Sequence, residues 1–309
     1  MRKILITGGA GNVGGSLANR LIQNAENFVV IVDNLLTGKI TNLPKTGNNW
    51  RFIKADVNNF KEISSIMLSN QFDYVFHYAA VVGVKRTLDN PKMVLDDIEG
   101  IKNVLNLSKN TSVKRIFFSS SSEVYGEPVE SPQREDTTPL NSRLPYAIVK
   151  NVGEAFFKSY FQEFGLNYTI FRFFNTYGPR QSTDFVISKF IEQAKNNQDI
   201  SIYGDGNQSR TFCFIEDNLD VVEKIMMEDL CINQVINIGN DVEYSIKSLA
   251  QIAKEILQSS SKIIHLPALV EGDMTRRKPD ISKMKIILGR ELLGIEAGIL
   301  KTAGNMLDE

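Results

Sequence analysis

Cysteine and histidine are scarce in this 309-residue chain: two of each, Cys213 and Cys231, His77 and His265. Two cysteines make no disulfide framework, and so few fit a reducing compartment, so a cytoplasmic protein is expected. No group of these residues has metal-ligand spacing, so no metal is expected. His77 lies in the apolar run YVFHYAA, where a packed, hydrogen-bonded histidine is the expected role. Long hydrophobic runs are also missing, which argues against a membrane span. The start MRKILITGGAG has no apolar signal core, because glycines arrive by Gly8. Charge of one sign is lacking too: 35 Lys plus Arg stand against 36 Asp plus Glu, a net charge of −1. With no long basic run, a nucleic-acid partner is not expected. What remains, 42% hydrophobic and 23% charged, is the balance of a globular domain with a large core.

Apolar runs alternate with helical stretches through the first half. KILIT (Lys3–Thr7), FVVIVD (Phe28–Asp33), RFIKADV (Arg51–Val57), YVFHYAA and RIFFSS (Arg115–Ser120) read as strands. VGGSLANRLIQNA, FKEISSIMLS and VLDDIEGIKNVLNLSKN read as helices between them. Strands buried on both faces are near-continuous apolar runs, so the alternation predicts an α/β fold with a doubly wound, parallel, Rossmann-type sheet. YAIVKNVGEAFFKSYFQEFG is a long helix ending at Gly165, followed by the strand NYTIFRFF. Beyond Gly178-Pro179 the elements shorten and turn clusters such as YGDGNQS appear, as in a smaller α/β region lying over the sheet.

TGGAGNVGG places Gly8, Gly11 and Gly14 between a strand and a helix. Glycines allow a tight turn and close approach to a pyrophosphate, and the helix N-terminus adds N–H donors and a positive dipole end. The second strand ends in Asp33, about 20 residues on, where an acid accepts hydrogen bonds from an adenosine ribose and repels a 2′-phosphate. NAD is therefore the expected cofactor. Asp56, at the end of the third strand, is read either as a partner of the adenine amine or as a surface cap.

YAIVK puts Tyr146 and Lys150 one helical turn apart on one face. A phenol, ordinarily titrating near ~10, needs a neighbouring ammonium to serve as a base at neutral pH. Such a pair takes a hydroxyl proton while hydride leaves the same carbon for nicotinamide.

Together with ITGGAGNVG, VDNLLTG, FHYAA, SSSSEVYGEP, RFFNTYGPR, YGDGNQSRTFCFIEDN and RRKPDI, these features resemble the extended short-chain dehydrogenase/reductases. More narrowly, the chain resembles the NAD-dependent epimerase/dehydratase family acting on nucleotide sugars. The resemblance implies an NAD-binding region over 1–174, joined by 211–240, and a nucleotide-sugar-binding region over 175–210 and 241–309. It adds Asn12, Val13, Asn34, Val57, Ala79, Ala80 and Ser119 to the cofactor's walls, with Tyr146 and Lys150 touching cofactor as well. It makes Ser121 the catalytic hydroxyl, five residues before Gly126, and Asn175, Arg210 and Arg277 candidates for substrate phosphates. For the two arginines a surface ion pair is the alternative. Val82, in the apolar loop Val81–Val84, is expected to line the sugar side. Tyr125 has no lysine four residues on and is read as a turn or pocket residue.

Ser122 and Glu123 bear on the outcome. An Asp-Glu pair here serves water elimination in many sugar 4,6-dehydratases, and Ser-Glu weakens that reading. UDP-glucuronate decarboxylases share Ser-Glu and RKPDI but differ within YAIVK. Glu123 is either a second-step acid/base or a carboxylate satisfied by the turn. The expected activity is oxidation of C4 of a nucleotide-diphosphate sugar, of 4-dehydrogenase or 4-epimerase type, in bacterial surface (capsule) polysaccharide synthesis, with a GDP-linked heptose as a finer reading. Decarboxylation of UDP-glucuronate, GDP-sugar 4,6-dehydration and a catalytically silent NAD-binding regulator are the alternatives. A homodimer is expected, with Val94, Leu95, Phe156 and Phe157 either at its interface or in the core.

Overall fold

A computed structural model describes residues 1–268 and 276–306, the side chains of Val84, Lys85 and Arg276 apart. Six strands, β1 (Arg2–Thr7), β2 (Asn27–Asp33), β3 (Trp50–Lys54), β4 (Tyr74–His77), β5 (Arg115–Ser121) and β6 (Tyr168–Phe173), join the later strand Gln234–Ile238 in one sheet. Its order, from that last strand, is β6-β5-β4-β1-β2-β3, and every pairing is parallel. This is the doubly wound, Rossmann-type sheet that the apolar runs imply.

Successive side chains of each strand enter opposite cores. Ile4, Ile6, Val29, Ile31, Phe117 and Phe171 pack on one face; Leu5, Val30, Val32, Ile116, Phe118 and Ile170 pack on the other. The first face is covered by α1 (Asn12–Leu21) and, further along the chain, by the helix Ile215–Met227. The second is covered by α2 (Phe60–Asn70), by α4 (Pro91–Lys109), which follows the short α3 (Val84–Asp89), and by α5 (Pro145–Phe164). Full burial of each such side chain is worth about 1.5–3 kcal/mol, so both helix layers are held by burial. Val94 and Phe157 belong to this core, Phe156 is half-buried and Leu95 is exposed.

Helix α5 stops where the sequence stops it, at Gly165 in the left-handed region (φ +69°). The strand expected over Arg51–Val57 ends sooner, at Lys54. Beyond it the Asp56 amide donates to Glu62 and the Asp56 carboxylate accepts the Asn58 amide, which turns the chain into α2. After β6 the elements are short. Thr176–Tyr177 pairs with Cys213–Phe214, and Glu243–Ser245, Ser209–Thr211 and Arg276–Arg277 form a three-stranded sheet. Ile200–Tyr203 pairs with Ile263–Leu266.

Candidate active site

The strand order reverses between β1 and β4, and crevices at such switch points bind ligands outside the carboxyl ends of the strands. A cavity of about 670 Å³ lies there. Its walls include Gly8, Gly11, Asn12, Val13 and Gly14 from the first turn, Asp33 and Asn34 after β2, Asp56 and Val57 after β3, and Ala79, Ala80 and Val82 after β4. Ser119 to Glu123, Tyr146, Lys150, Asn175 and Arg277 close the other end.

The glycine turn is a cradle with no room for side chains. A Cβ on Gly8 (φ +68°) would stand 2.6 Å from the Ala79 amide nitrogen, and one on Gly14 would stand 2.4 Å from the Gly8 carbonyl oxygen. Helix α1 begins at Gly11 without a side-chain cap, and the Asn12 Oδ1 is buried without a hydrogen-bond partner. The first-turn N–H groups of α1, which no side chain caps, fit the pyrophosphate of a dinucleotide. Asp33 Oδ2 accepts the Ala10 amide at 3.0 Å and Oδ1 accepts the Leu35 amide at 2.8 Å, which fixes the carboxylate at the cavity wall. Asn34 Nδ2 donates to Asp56 Oδ2 at 3.2 Å, joining two further expected residues.

Three consecutive serines at the end of β5 meet α5. Lys150 Nζ, almost fully buried, donates to Ser119 Oγ at 3.4 Å, and the Ser121 hydroxyl neighbours the Tyr146 phenol and lowers its pKa. Ser120 Oγ donates to Glu154 Oε1 at 2.6 Å. Burial pushes the Lys150 ammonium down to about 8, opposed by the Asp97 carboxylate. Burial also pushes the Tyr146 phenol well above its ordinary range; Glu123 raises it further and Ser121 opposes the rise. The Lys150 ammonium lies 5.6 Å from the centre of the Tyr146 ring and donates to Ser119. His77 is buried behind the site, bonded to Thr7 Oγ1 at 2.9 Å, and burial lowers it to about 3, so it is a neutral packed histidine.

On the substrate side Arg277 Nη1 meets Glu123 Oε1 at 2.8 Å and Ser122 Oγ at 3.3 Å. Both readings of Arg277 therefore coexist: it forms an ion pair, and it does so in the cavity wall. Asn175 (φ +41°) donates through Nδ2 to the Thr211 carbonyl at 2.9 Å and reaches the cavity. Arg210 is buried and bonded to its own strand at Ser209 O, and it is not among the described walls. Val82 lines the cavity, whereas the Val84 side chain lies outside the described residues. Tyr125 is buried away from the cavity: its hydroxyl accepts from Arg172 and donates to Asn237.

Among the wall residues that sequence reasoning missed are Asp97 and Arg180. Asp97, half-buried, accepts the Val81 amide at 2.7 Å, and desolvation raises its pKa. Arg180 lines the cavity with its Nε buried and without a partner, and burial lowers its pKa. The adjoining Gly178-Pro179 turn marks the loop without revealing where its arginine points.

The fold and the site define an α/β enzyme built on a dinucleotide cradle. The model of the NAD dependent epimerase/dehydratase family matches residues 4–239, and the chain belongs to that family. It is an enzyme, and its cofactor is NAD. It is 36% identical over 301 residues to UDP-glucuronic acid decarboxylase 6 of Arabidopsis thaliana, covering 94% of this chain and 84% of that protein. Its fold superposes on the UDP-glucose 4-epimerase of Thermotoga maritima, solved with UDP-glucose, with a TM-score of 0.92, 30% identity and 98% of both chains covered. The UDP-glucuronic acid 4-epimerase of Bacillus cereus, solved with UDP-glucuronic acid and NAD, matches with a TM-score of 0.88, 28% identity and 98% of both chains covered. Among the described residues no helix is long and apolar enough to cross a membrane, and no three His, Cys, Asp or Glu residues are grouped to hold a metal ion.

Proposed function

We propose that the enzyme oxidises C4 of a nucleotide-diphosphate sugar and yields a 4-keto or 4-epimeric product. The observation that carries this reading is the meeting of Tyr146, Ser121 and Lys150 at one end of a cavity whose other end is the glycine cradle. Ser121 and Tyr146 hold the C4 hydroxyl between them, and Tyr146 receives its proton. Lys150 holds positive charge beside the ring and fixes Ser119. Gly8, Gly11, Asn12, Gly14 and Asp33 would hold NAD, which would supply the hydride acceptor. Arg180 and Asn175 meet the substrate's phosphates. The Arg277 charge is already balanced by Glu123, which suits an uncharged sugar ring over one bearing a carboxylate.

Decarboxylation is the second reading, favoured by the curated relative. Oxidation at C4 of a hexuronate makes a β-keto acid, which loses carbon dioxide. Incubation with UDP-glucose, UDP-glucuronate, dTDP-glucose, GDP-mannose and a GDP-heptose, followed by mass spectrometry, separates the outcomes. A 4-keto or epimeric product supports the first reading; carbon dioxide release from UDP-glucuronate supports the second. Turnover of the GDP-heptose alone would support the finer reading of a 4-dehydrogenase in bacterial capsule synthesis. The proposed homodimer buries the exposed apolar residues Leu95 of α4 and Ile148, Phe161 and Phe164 of α5; sedimentation of the purified protein tests it.

A further inference from the structure

We infer that Glu154 and Arg172 are a positioning pair for the reaction centre, acting through Ser120; this rests on the C4-oxidation reading. Tyr146, Lys150 and Glu154 follow one another at four-residue spacing, so one face of α5 presents all three. Each is met by one of three consecutive serines of β5: Tyr146 by Ser121, Lys150 by Ser119, Glu154 by Ser120. Apolar packing holds α5 against the sheet, but the hydrophobic effect is non-directional and a hydrogen bond is not. Beside the stacking of Phe118 on Phe157, the Ser120–Glu154 bond is a polar contact between these two elements that the proposed hydroxyl chemistry does not employ. Its 2.6 Å length and near-complete burial make it a charge-assisted, directional link.

Glu154 is itself fixed from behind. Arg172 of β6 donates through Nε to Oε1 at 2.9 Å and through Nη2 to Oε2 at 2.7 Å, with both side chains almost fully buried. The Lys158 ammonium stands 4.0 Å from Oε2 on the outer side. Arg172 Nη1 continues to the Tyr125 hydroxyl at 2.7 Å, and that hydroxyl to Asn237 Oδ1 at 2.8 Å. One chain of bonds therefore ties α5 to β5, β6, the Ser122–Tyr125 turn and the strand Gln234–Ile238. A buried ion pair is often replaceable by apolar residues without loss of stability, so stability alone does not explain it. Its effect is to set the register in which Ser121 faces Tyr146 and Ser119 faces Lys150.

The test uses the NAD-loaded enzyme with Ser120→Ala, which leaves the ion pair intact, and Ser120→Thr, which restores the hydroxyl. Turnover is measured on the sugar nucleotides named above, and the ring-carbon resonance of Tyr146, assigned with Tyr146→Phe, is recorded on tyrosine-labelled protein. For Ser120→Ala, kcat is expected to fall by about 10- to 100-fold, the scale of a misplaced reacting group. KM and bound NAD should stay within about two-fold, and the Tyr146 resonance should move. Ser120→Thr should recover kcat to within about three-fold. An unmoved resonance and an unchanged kcat in Ser120→Ala would overturn the inference. Retained turnover in Tyr146→Phe would overturn the C4-oxidation reading instead, and the resonance would still decide the positioning role.

Discussion

Gly8 and Gly165 have nearly the same backbone conformation, φ +68° and +69°, but opposite surroundings. A Cβ on Gly165 would meet nothing within 4 Å; one on Gly8 would meet the Ala79 backbone at 2.6 Å. Alanine at either site bears the left-handed penalty of about 1–2 kcal/mol. At Gly8 the backbone overlap cannot be relieved by rotating a side chain, which adds about 1–3 kcal/mol. The expected losses are thus about 1–2 kcal/mol for Gly165→Ala and about 2–5 kcal/mol for Gly8→Ala. At about 2 °C per kcal/mol for a large domain, NAD-free protein should melt about 2–4 °C and about 4–10 °C lower, respectively. The assay pairs thermal unfolding with the nucleotide content of heat-denatured protein. Gly165→Ala keeps its NAD; Gly8→Ala loses it, because the shifted Ala79 and the new methyl group deform the cradle. Equal melting losses with full NAD in both variants would refute the assignment of this turn to the cofactor.

Other outcomes follow from the same site. His77 is held near 3 when folded and returns to about 6.5 when unfolded, so the unfolded chain binds a proton the folded one does not and stability falls as pH drops between these values. From pH 7 to pH 5 this costs about 2 kcal/mol, and His77→Asn should remove that part of the pH dependence in denaturant melts. Lys150 is depressed from 10.5 to about 8, so its buried charge opposes folding at neutral pH; Lys150→Met should stabilise NAD-free protein by up to about 3 kcal/mol while abolishing turnover. A lower melting temperature for that variant would contradict the desolvation argument. Arg180→Gln should weaken binding of UDP and GDP by about 10-fold or more in calorimetric titration, the scale of a lost charged hydrogen bond; unchanged affinity would remove Arg180 from the substrate site.

What could be read from the sequence was local. The glycine turn, the Asp33 strand end and the four-residue spacing of Tyr146 and Lys150 each carry their geometry within a few residues. The two-faced burial of Ile4, Leu5 and Ile6 is written in their uninterrupted run. Pairings across long separations were not legible. Nothing near Glu123 announces Arg277, 154 residues away, and nothing in Arg172 says that it clamps Glu154 rather than facing solvent. The partner of Ser120 was not legible either, because a hydroxyl's partner depends on which helix lies over the strand end. Arg210 read as a phosphate ligand from its motif; in the structure it is buried, donates to Ser209 O and is not among the described cavity walls.

The central claim is hydride removal from C4, and the most direct test is the reduced-nicotinamide absorbance of the NAD-loaded enzyme in a single turnover. The panel of sugar nucleotides is run with hydrogen and with deuterium at C4, on the wild type and on Tyr146→Phe. The account predicts that the band rises with at least one of them, more slowly when C4 carries deuterium, and stays flat in Tyr146→Phe. A product that forms without the band, or a rate indifferent to deuterium at C4 and to the loss of the Tyr146 hydroxyl, would contradict it.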